Sequence, residues 1–296
     1  MKAAQAADPA AVARFLAEER LPAAYADVID RIYAPIARSA AALRADRADC
    51  LVLGLSGPQG SGKSTGAMAL RMLIEAQGWR TAALSLDDLY LTRTERRALA
   101  ASVHPLLATR GPPGTHDVAL GVGLIDAIRQ RRRVRLPLFD KAIDDRRPEG
   151  DGPLADPPVD ILIFEGWCLG ARPQPAADLE HPINALEAEE DRDGIWRRHV
   201  NTALDAYAPL FARIDYLAYL RPPSFAVVAG WRREQEDKLR ARIGGEAGAR
   251  LMSPAQIDCF VQHYERVTRH MIDDLSPRAD ALVELDEERR PILVRL

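Results

Sequence analysis

Short apolar runs alternate along this chain with longer segments in which apolar residues recur at helical spacing. Segment 63–77 places Leu70, Leu73 and Ile74 on one helical face, and the helices predicted to begin near Thr92 and Asp117 start with capping residues. Strands connected by helices predict a parallel sheet that is covered on both faces. The five runs typical of buried strands are 50–56, 80–86, 159–166, 214–220 and 281–285.

The residues before the first strand form a different pattern. Segment 8–48 is rich in alanine and arginine, and its apolar residues recur at helical spacing. We therefore predict two or three helices in an N-terminal extension, residues 1–49, that serves packing without taking part in chemistry. Residues 50–296 are predicted to form one catalytic domain.

Three segments of this domain depart from the alternation of strand and helix. Segments 104–117 and 136–158 combine proline and glycine with charge. Segment 221–253 begins with RPPSF, continues as a charged helix and ends in a stretch with three glycines. Long loops over the strand ends of an α/β sheet are often substrate loops or lids. We predict substrate loops in the first two segments and a lid in the third.

Composition and charge limit the classes of function. The formal net charge of the 296 residues is −3, so no overall field favours nucleic acid or an anionic membrane. No stretch approaches the ~20 apolar residues of a membrane span, and the N-terminus lacks the apolar core of a secretory signal. The three cysteines are widely spaced and odd in number, as in reduced cytoplasmic proteins. We expect a cytoplasmic protein without nucleic-acid or membrane partners, and its oligomeric state is left open.

The first strand leads into GPQGSGKST, residues 57–65, which matches the phosphate-binding pattern G-x-x-x-x-G-K-[S/T]. Its glycines let backbone N–H groups face a phosphate, and the following helix adds its positive end. Lys63 is one of four lysines against thirty-six arginines, and its compact charge suits the β- and γ-phosphates better than the rigid fork of arginine. Ser64 offers a hydroxyl to Mg²⁺. The expected nucleotide-binding residues are Gly57, Pro58, Gln59, Gly60, Ser61, Gly62, Lys63, Ser64 and Thr65.

Carboxylates follow two other strands. Asp87 and Asp88 come just after the second strand, where one of them could accept a hydroxyl proton during attack on a γ-phosphate. We favour Asp87 as this base; a helix cap or a solvated acidic pair is the alternative. Glu165 ends the third strand, where a carboxylate needs a cation or hydrogen bonds. We expect Glu165, Ser64 and Asp87 to be the candidate Mg²⁺ ligands, with a salt bridge from Glu165 to an arginine as the alternative.

Two loops, RGPPGTHD at 110–117 and PLFDKAIDDRR at 137–147, mix cations with hydrogen-bonding groups. A small, anionic and hydroxylated substrate would need such groups. Helix capping alone would also explain Asp117, and a structural role would explain His116. The candidate substrate residues in these loops are Arg110, His116, Asp117, Asp140, Lys141 and Arg146.

The charged helix GWRREQEDKLRAR, residues 230–242, is either a solvated helix face or part of the lid. In the second interpretation Arg232, or a neighbouring cation, closes on the triphosphate and neutralises charge in the transition state. We favour this interpretation and count Arg232 among the expected catalytic residues.

Taken in order, these motifs resemble those of the D-glycerate 3-kinase family of P-loop kinases, which is related to phosphoribulokinase, uridine kinase and bacterial pantothenate kinase. The resemblance covers residues 50–296. FEGWCLG, RGPPGTHD and the tail LDEERRPI are its most specific parts, whereas the phosphate-binding motif is shared by many families. The segments that carry it are GPQGSGKST, SLDDLYLT, RGPPGTHD, PLFDKAIDDR, FEGWCLG, WRREQE, FVQHYERVT and LDEERRPI.

The resemblance implies a P-loop nucleoside triphosphate hydrolase-like fold, in which a five-stranded parallel sheet of order 2-3-1-4-5 lies within three α/β/α layers. It implies that Asp87 is the base and that Glu165 is the Mg²⁺-linked glutamate. Asp88 and Tyr90, in the same motif, are expected in the substrate site. The chain departs from the wider group at Phe139, where tyrosine is common, so any role of a phenolic hydroxyl is missing.

The expected activity is phosphorylation of a small hydroxy acid with ATP and Mg²⁺, in the first instance of D-glycerate on its 3-hydroxyl. A kinase of another small metabolite, such as a nucleoside or a pantothenate-like compound, stays open. An ATP-binding regulatory protein without turnover also stays open. A GTPase switch is disfavoured because the sequence contains no N-K-x-D motif and its third strand ends in glutamate.

Replacement of Lys63 by arginine tests the phosphate cradle. Lys63→Arg keeps the charge but changes its shape, so we predict that turnover falls by at least ~10²-fold, which equals about 2.7 kcal/mol of transition-state stabilisation. Steady-state kinetics at saturating substrates would measure this, with circular dichroism to verify folding. Near-normal turnover of the folded variant would refute the assignment of Lys63 to the phosphates.

Overall fold

The computed structural model describes residues 8–243 and 252–296. No helix in those two ranges is long and apolar enough to cross a membrane. The helices are α1 Pro9–Glu18, α2 Tyr25–Val28, α3 Ala34–Ala45, α4 Lys63–Glu75, α5 Arg93–Ser102, α6 Val118–Arg129, α7 Ala185–Glu189, α8 Ile195–Phe211, α9 Ala226–Ile243 and α10 Pro254–Asp274. The strands are β1 Leu51–Ser56, β2 Thr81–Ser85, β3 Val134–Arg135, β4 Phe139–Asp140, β5 Asp145–Arg146, β6 Leu154–Ala155, β7 Ile161–Gly166, β8 Tyr216–Arg221, β9 Ala281–Leu285 and β10 Pro291–Arg295.

The central sheet has six strands in the order β10-β9-β8-β1-β7-β2. β1 pairs in parallel with β7 and β8, while β2 pairs in parallel with β7 and β9 with β8. These five strands are the five predicted from the sequence, and their order 2-3-1-4-5 is confirmed. Their carboxyl ends therefore meet at one edge of the sheet, where ligands of open α/β sheets bind.

The predicted number of strands is wrong by one, because β10 adds an antiparallel strand beside β9 at the edge of the sheet. Its run PILVR begins with proline, which lacks an N–H group and is tolerated in sheets at edges and at first positions. Ile292 and Leu293 are 63% and 47% exposed. The strand therefore lacks the buried apolar pattern that identifies the other five.

Alternate residues of the central strands face two separate cores. Leu51, Leu53 and Leu55 of β1 belong to a core that α3 and α4 cover, whereas Val52 belongs to the core under α6, α8 and α10. A strand that is buried on both faces is apolar throughout, which explains the run at 50–56. The three-layer α/β/α architecture is therefore confirmed.

The N-terminal helices pack on the same side of the sheet as α4. Phe15 and Ile32 are buried in that core, and a Cβ atom on Gly66 of α4 would lie 2.5 Å from the Tyr33 hydroxyl. The prediction of helices in this region is confirmed, while the boundary between extension and catalytic domain stays a prediction. Residues 1–7 of the predicted extension lie outside the described residues.

The predicted substrate loop at 136–158 contains β4, β5 and β6, which form two small antiparallel ladders, β4 with β5 and β6 with the preceding β3. The predicted lid contains α9, which packs against the rest of the protein through Trp231, a residue that is only 4% exposed. Residues 244–251 of this predicted lid lie outside the described residues. The roles of both segments stay predictions.

A buried ion pair anchors α10, the helix that reaches the substrate loops. Arg266 donates to Glu187 from Nε at 2.8 Å and from Nη2 at 2.6 Å, and the two side chains are 7% and 0% exposed. Two residues before Arg266 on the same helix, Tyr264 Oη donates to the carbonyl of Arg110 at 3.0 Å. The ion pair thus fixes the helix that supports one of the predicted substrate loops.

Removal of one partner should therefore destabilise the protein. Glu187→Ala leaves the Arg266 guanidinium buried without its partner, and we predict a loss of about 3–5 kcal/mol in the free energy of unfolding. The control is Asp156→Ala, which removes an exposed pair with Arg133 and should cost less than about 1 kcal/mol. Urea unfolding followed by tryptophan fluorescence measures both. Equal losses in the two variants would contradict the anchoring role.

Candidate active site

The phosphate-binding segment joins β1 to α4 at the carboxyl edge of the sheet. Gly60 and Gly62 have φ angles of 74° and 88°, which glycine adopts without strain. Gly62 is the N-cap of α4, and no side chain caps this helix. Its first N–H groups and its positive end therefore face outward without a capping side chain, as an anion-binding helix requires.

Lys63 is the first residue of α4. Within the described part of the chain its Nζ makes one hydrogen bond, a 3.5 Å contact with the carbonyl of Pro58. This distance is long for an N–H···O bond. The charge of Lys63 also helps to lower the pKa of Asp87, so the ammonium group lies within electrostatic range of that carboxylate. The Lys63 ammonium group can therefore donate hydrogen bonds to an anion that binds beside Asp87.

β7 brings Glu165 to the same edge. In the parallel register it lies opposite Leu55 of β1 and Ser85 of β2. Its Oε1 accepts hydrogen bonds from Ser85 Oγ at 2.8 Å and Ser64 Oγ at 3.3 Å. The predicted alternative, a salt bridge from Glu165 to an arginine, does not occur among the residues that the structure describes.

The second carboxylate oxygen of Glu165, Oε2, is buried and has no hydrogen-bond partner in the described ranges. Such an oxygen costs about 1–3 kcal/mol or more unless a ligand satisfies it. A hydrated divalent cation fits this environment, because its water would donate to Oε2 while the Ser64 hydroxyl binds the ion. Glu165 and Ser64 can therefore hold Mg²⁺.

Asp87 lies on the short 3₁₀ turn that follows β2. Its Oδ1 accepts a hydrogen bond from the Tyr90 hydroxyl at 2.7 Å, and its Oδ2 accepts one from Lys141 Nζ at 2.6 Å. Burial opposes ionisation, but the charges of Lys141 and Lys63 outweigh it and hold the pKa of Asp87 well below its usual range. Asp87 is therefore an ionised and oriented carboxylate that two lysines approach.

Asp88, its neighbour, has a different environment. Burial raises the pKa of Asp88 to about 6, and the negative charge of Asp87 adds to this rise. Its Oδ1 accepts a hydrogen bond from the backbone N–H of Phe139 at 3.0 Å. Asp88 thus braces the β4–β5 hairpin, which leaves Asp87 as the better candidate for the base.

Phe139, where the wider group has tyrosine, contacts two guanidinium groups. The central carbons of Arg96 and Arg110 lie 5.6 and 5.7 Å from its ring centroid, and Asp144 accepts hydrogen bonds from both arginines. Arg96 is 1% exposed, whereas the Arg110 side chain is 25% exposed. The ring and Asp144 together hold Arg110 in place, so the aromatic face rather than a hydroxyl serves at this position.

His116 packs on Tyr90, the residue that holds Asp87. Their ring centroids are 4.7 Å apart, and His116 Nδ1 lies 2.6 Å from the hydroxyl oxygen of Tyr207. Burial lowers the pKa of His116 to about 4, so its imidazole is neutral near pH 7. These contacts support the structural interpretation of His116, and a ligand role stays a prediction.

Asp117 and Arg146 lie on the other side of Tyr90. Asp117 Oδ1 accepts a hydrogen bond from the backbone N–H of Leu120 at 2.9 Å, which confirms the predicted cap of α6. Its Oδ2 lies 3.5 Å from Arg146 Nη2, which also donates to the Tyr90 carbonyl at 2.8 Å. Arg146 therefore joins the β4–β5 hairpin to the segment that carries Asp87.

Two predicted residues make their contacts elsewhere. Asp140 accepts hydrogen bonds from Arg147 Nη2 at 2.7 Å and from a backbone N–H of its own hairpin at 2.9 Å. Arg232 lies 2.8 Å from Glu236 and over the ring of Phe260. Neither is brought into contact with the phosphate loop or Asp87 in the described part of the chain. Their roles in binding and catalysis stay predictions.

Sequence reasoning missed several residues that brace the site. Besides Arg96 and Asp144, Trp167 Nε1 donates to the carbonyl of Gly111 at 3.1 Å, and Tyr264 packs against Trp167 with ring centroids 4.9 Å apart. Both rings hold the loop that begins at Arg110. Trp167 belongs to FEGWCLG and Tyr264 belongs to FVQHYERVT. The one sequence signal that could have identified this role is the position of a tryptophan just past the end of a buried strand.

The chain is similar to several known kinases. No family model matches the chain. An uncharacterised kinase of Schizosaccharomyces pombe is 33% identical over 258 residues, which cover 82% of this chain and 90% of that protein. The chloroplastic D-glycerate 3-kinase of Arabidopsis thaliana is 30% identical over 263 residues, which cover 82% of this chain and 54% of the plant protein.

Among solved structures, the D-glycerate 3-kinase of Cryptococcus neoformans has a TM-score of 0.72 and 26% sequence identity. The match covers 88% of this chain and 96% of the fungal one. The similarity thus extends over both sequence and fold. The chain belongs to the D-glycerate 3-kinase family of P-loop kinases, and it is an ATP-dependent kinase.

Proposed function

We propose that this kinase transfers the γ-phosphate of ATP to the 3-hydroxyl of D-glycerate and so forms 3-phosphoglycerate. The observation that carries the proposal is the meeting of three groups at one edge of the sheet: Lys63 of the phosphate loop, the carboxylate of Asp87 and Lys141 of the β4–β5 hairpin. The reaction needs a phosphate cradle, a proton acceptor and cations for an acidic acceptor. The names of the plant and Cryptococcus relatives support the same substrate.

Residues 57–65 would bind the triphosphate. Backbone N–H groups of the loop and the start of α4 would meet the phosphate oxygens, and Lys63 would reach the β- and γ-phosphates. Its long contact with the carbonyl of Pro58 is easily exchanged for phosphate oxygens. The cradle is therefore formed by the backbone before the nucleotide arrives.

Glu165 and Ser64 would hold Mg²⁺, and Asp87 is the third candidate ligand. The ion would supply positive charge that neutralises the phosphates during transfer. Ser85 fixes Oε1 of Glu165, so the buried Oε2 keeps one orientation. The carboxylate is thus set to accept hydrogen bonds from the water shell of an ion.

Asp87 would accept the proton of the substrate hydroxyl while that oxygen attacks the γ-phosphorus and the bond to the ADP oxygen breaks. Tyr90 fixes Oδ1, and Lys141 occupies Oδ2 at 2.6 Å. Lys141 would therefore leave Oδ2 when the hydroxyl arrives. Its side chain is 59% exposed, so water can hydrate the ammonium group when it leaves Oδ2.

The carboxylate of glycerate would bind Arg110 and the released Lys141. In the part of the chain described, Arg110 uses Nη1 for Asp144 and makes no other side-chain hydrogen bond. Its remaining N–H groups can meet a carboxylate, which arginine binds with two parallel hydrogen bonds. Contacts of Arg110 with Phe139 and Asp144 fix the position of the guanidinium before the substrate binds.

A substrate panel tests the proposal. The purified protein, ATP and Mg²⁺ are combined with D-glycerate, L-glycerate, glycerol, pantothenate and uridine, and ADP release is measured. We expect the highest kcat/KM for D-glycerate. Glycerol, which keeps the hydroxyl groups but lacks the carboxylate, should be at least ~10²-fold poorer, because it leaves the arginine unpaired.

The product distinguishes the remaining outcomes. Phosphorus NMR should show the phosphate on the 3-hydroxyl. Preference for uridine or pantothenate would replace D-glycerate with another small metabolite. Tight ATP binding without turnover of any acceptor would favour an ATP-binding regulatory protein.

The roles of the two carboxylates can be separated by isosteric substitution. Asp87→Asn should preserve ATP affinity and lower turnover by ~10²-fold or more, the usual scale for a positioned general base. Glu165→Gln should instead raise the Mg²⁺ concentration needed for half-maximal rate, because a neutral amide holds the water shell of the ion less strongly. The turnover of both variants is measured at saturating ATP over a range of Mg²⁺ concentrations, after their folding has been checked.

The reverse pattern would show that the two roles are exchanged. In that case Asp87→Asn moves the Mg²⁺ requirement and Glu165→Gln leaves it unchanged. Asp88→Asn serves as the control from the same turn. If it lowers turnover far more than Asp87→Asn, the base is Asp88.

A further inference from the structure

Both oxygens of the Asp87 carboxylate accept a hydrogen bond from another side chain of the protein. Tyr90 Oη donates to Oδ1 at 2.7 Å, and Lys141 Nζ donates to Oδ2 at 2.6 Å. Tyr90 is only 3% exposed, and its ring packs against the rings of His116 and Phe139 at centroid distances of 4.7 and 5.0 Å. Oδ1 is therefore held by a fixed donor, and Oδ2 is the oxygen through which Asp87 can accept a proton.

The cation on Oδ2 stands at the end of a long, exposed side chain. Lys141 is the first residue of the four-residue turn between β4 and β5, and residues 141–143 of this turn are exposed. In the part of the chain that the structure describes, Lys141 Nζ donates a hydrogen bond to Asp87 alone. The lysine can therefore leave the carboxylate by rotation about its own side-chain bonds while its ammonium group stays hydrated.

The hairpin that carries the lysine is itself held in place on both strands. The backbone N–H of Phe139 in β4 donates to Asp88 Oδ1 at 3.0 Å. The carboxylate of Asp145 in β5 accepts a hydrogen bond from the backbone N–H of Arg93 at 3.0 Å. Departure of the lysine from the base therefore requires no movement of the hairpin.

The same turn supports a cation that can bind an anionic group. Asp144, the last residue of the turn, accepts hydrogen bonds from both Arg96 and Arg110. Arg96 is buried, whereas Arg110 is partly exposed. An anion on Arg110 would therefore lie beside the turn that carries Lys141, and it would offer the ammonium group a second partner in place of Asp87.

Water and neutral alcohols cannot offer this exchange, because they bring no charge to replace the ion pair. From this difference we propose that Lys141 is a specificity-determining residue, which closes Asp87 to water and to neutral alcohols until the anionic group of the acceptor draws the lysine away. The reaction that Lys141 prevents is hydrolysis of ATP. In that reaction a water oxygen attacks the γ-phosphorus, the bond to the ADP oxygen breaks, and Asp87 takes the proton, which leaves ADP and inorganic phosphate.

This inference rests on the proposed role of Asp87 as the base, and it deepens the proposed function by stating how the acceptor is selected. The choice between anionic and neutral acceptors is then made in turnover as well as in binding, since a neutral molecule in the site still meets a closed base. It also gives the kinase a reason to hold a cation on its own base.

Removal of the charge of Lys141 tests the proposal. Lys141→Met keeps the length of the side chain, and with Mg²⁺-ATP and no acceptor its ADP release should rise at least ~10-fold above that of the wild type. The KM for ATP should change less than ~2-fold, because the phosphate loop is untouched. Formation of glycerol phosphate from added glycerol, followed by phosphorus NMR, should also rise at least ~10-fold.

The matched control is Arg147→Met, which removes another exposed cation from the same hairpin. Arg147 pairs with Asp140 at 2.7 Å and makes no contact with Asp87 among the described residues. This variant should leave the rate of ADP release without acceptor unchanged.

Two further variants separate control of the base from a general loosening of the site. Asp87→Asn combined with Lys141→Met should lose the rise in ADP release, because water then has no base. Lys141→Arg keeps a cation beside Asp87, so ADP release without acceptor should stay within ~3-fold of the wild-type rate. Its turnover of the preferred acceptor should fall, since the fixed fork of a guanidinium leaves the carboxylate less readily.

An unchanged or lower rate of ADP release in folded Lys141→Met would overturn the proposal. So would an equal rise in Arg147→Met, or a rise that persists after Asp87→Asn is added. Absence of a rise with glycerol would overturn the part that concerns neutral alcohols. Circular dichroism verifies folding, and if Lys141→Met fails to fold, Lys141→Ala is measured against the same criteria.

The main assay contains no acceptor, so its result does not depend on the identity of the substrate. If D-glycerate fails as a substrate but Lys141→Met releases ADP faster, the role of Lys141 stands. Conversely, an active glycerate kinase whose Lys141→Met variant hydrolyses ATP no faster than the wild type would refute only this inference.

Discussion

The parallel pairing of β7 between β1 and β2 is the constraint on which the site depends. It sets Glu165 level with the end of β1, where the phosphate loop begins, and beside Ser85, two residues before Asp87. A shift of one residue would turn the Glu165 side chain to the opposite face of the sheet. The candidate metal-binding carboxylate, the phosphate loop and the candidate base are therefore brought together by backbone hydrogen bonds of the sheet, and side chains only refine their orientation.

Electrostatics explain why lysine is retained at two places in an arginine-rich chain. Lys63 and Lys141 approach the same carboxylate from segments about eighty residues apart, and together they overcome the effect of burial on the pKa of Asp87. An ammonium group can move from one oxygen to another with little change in shape, whereas a guanidinium binds in a fixed fork. The arginines nearby, Arg110 and Arg146, are instead held by several fixed contacts. The lysines thus supply the mobile cations of the site, and the arginines supply the fixed ones.

The sequence predicted the parts of the site that local patterns encode. The five parallel strands and the cap at Asp117 follow from apolar runs and capping residues. It did not predict β10, whose exposed apolar residues give an edge strand no buried pattern. It also did not predict the contacts of Phe139 with Arg96, because they join segments distant along the chain.

The close approach of Gly60 to Trp231 has a mechanical consequence for the predicted lid. The backbone of the phosphate loop and the first turns of α9 are in direct steric contact, and Arg289 ties both to the turn after β9. The start of α9 therefore cannot translate without deforming the loop. If segment 221–253 acts as a lid, its motion at this end would be coupled directly to the backbone of the phosphate loop.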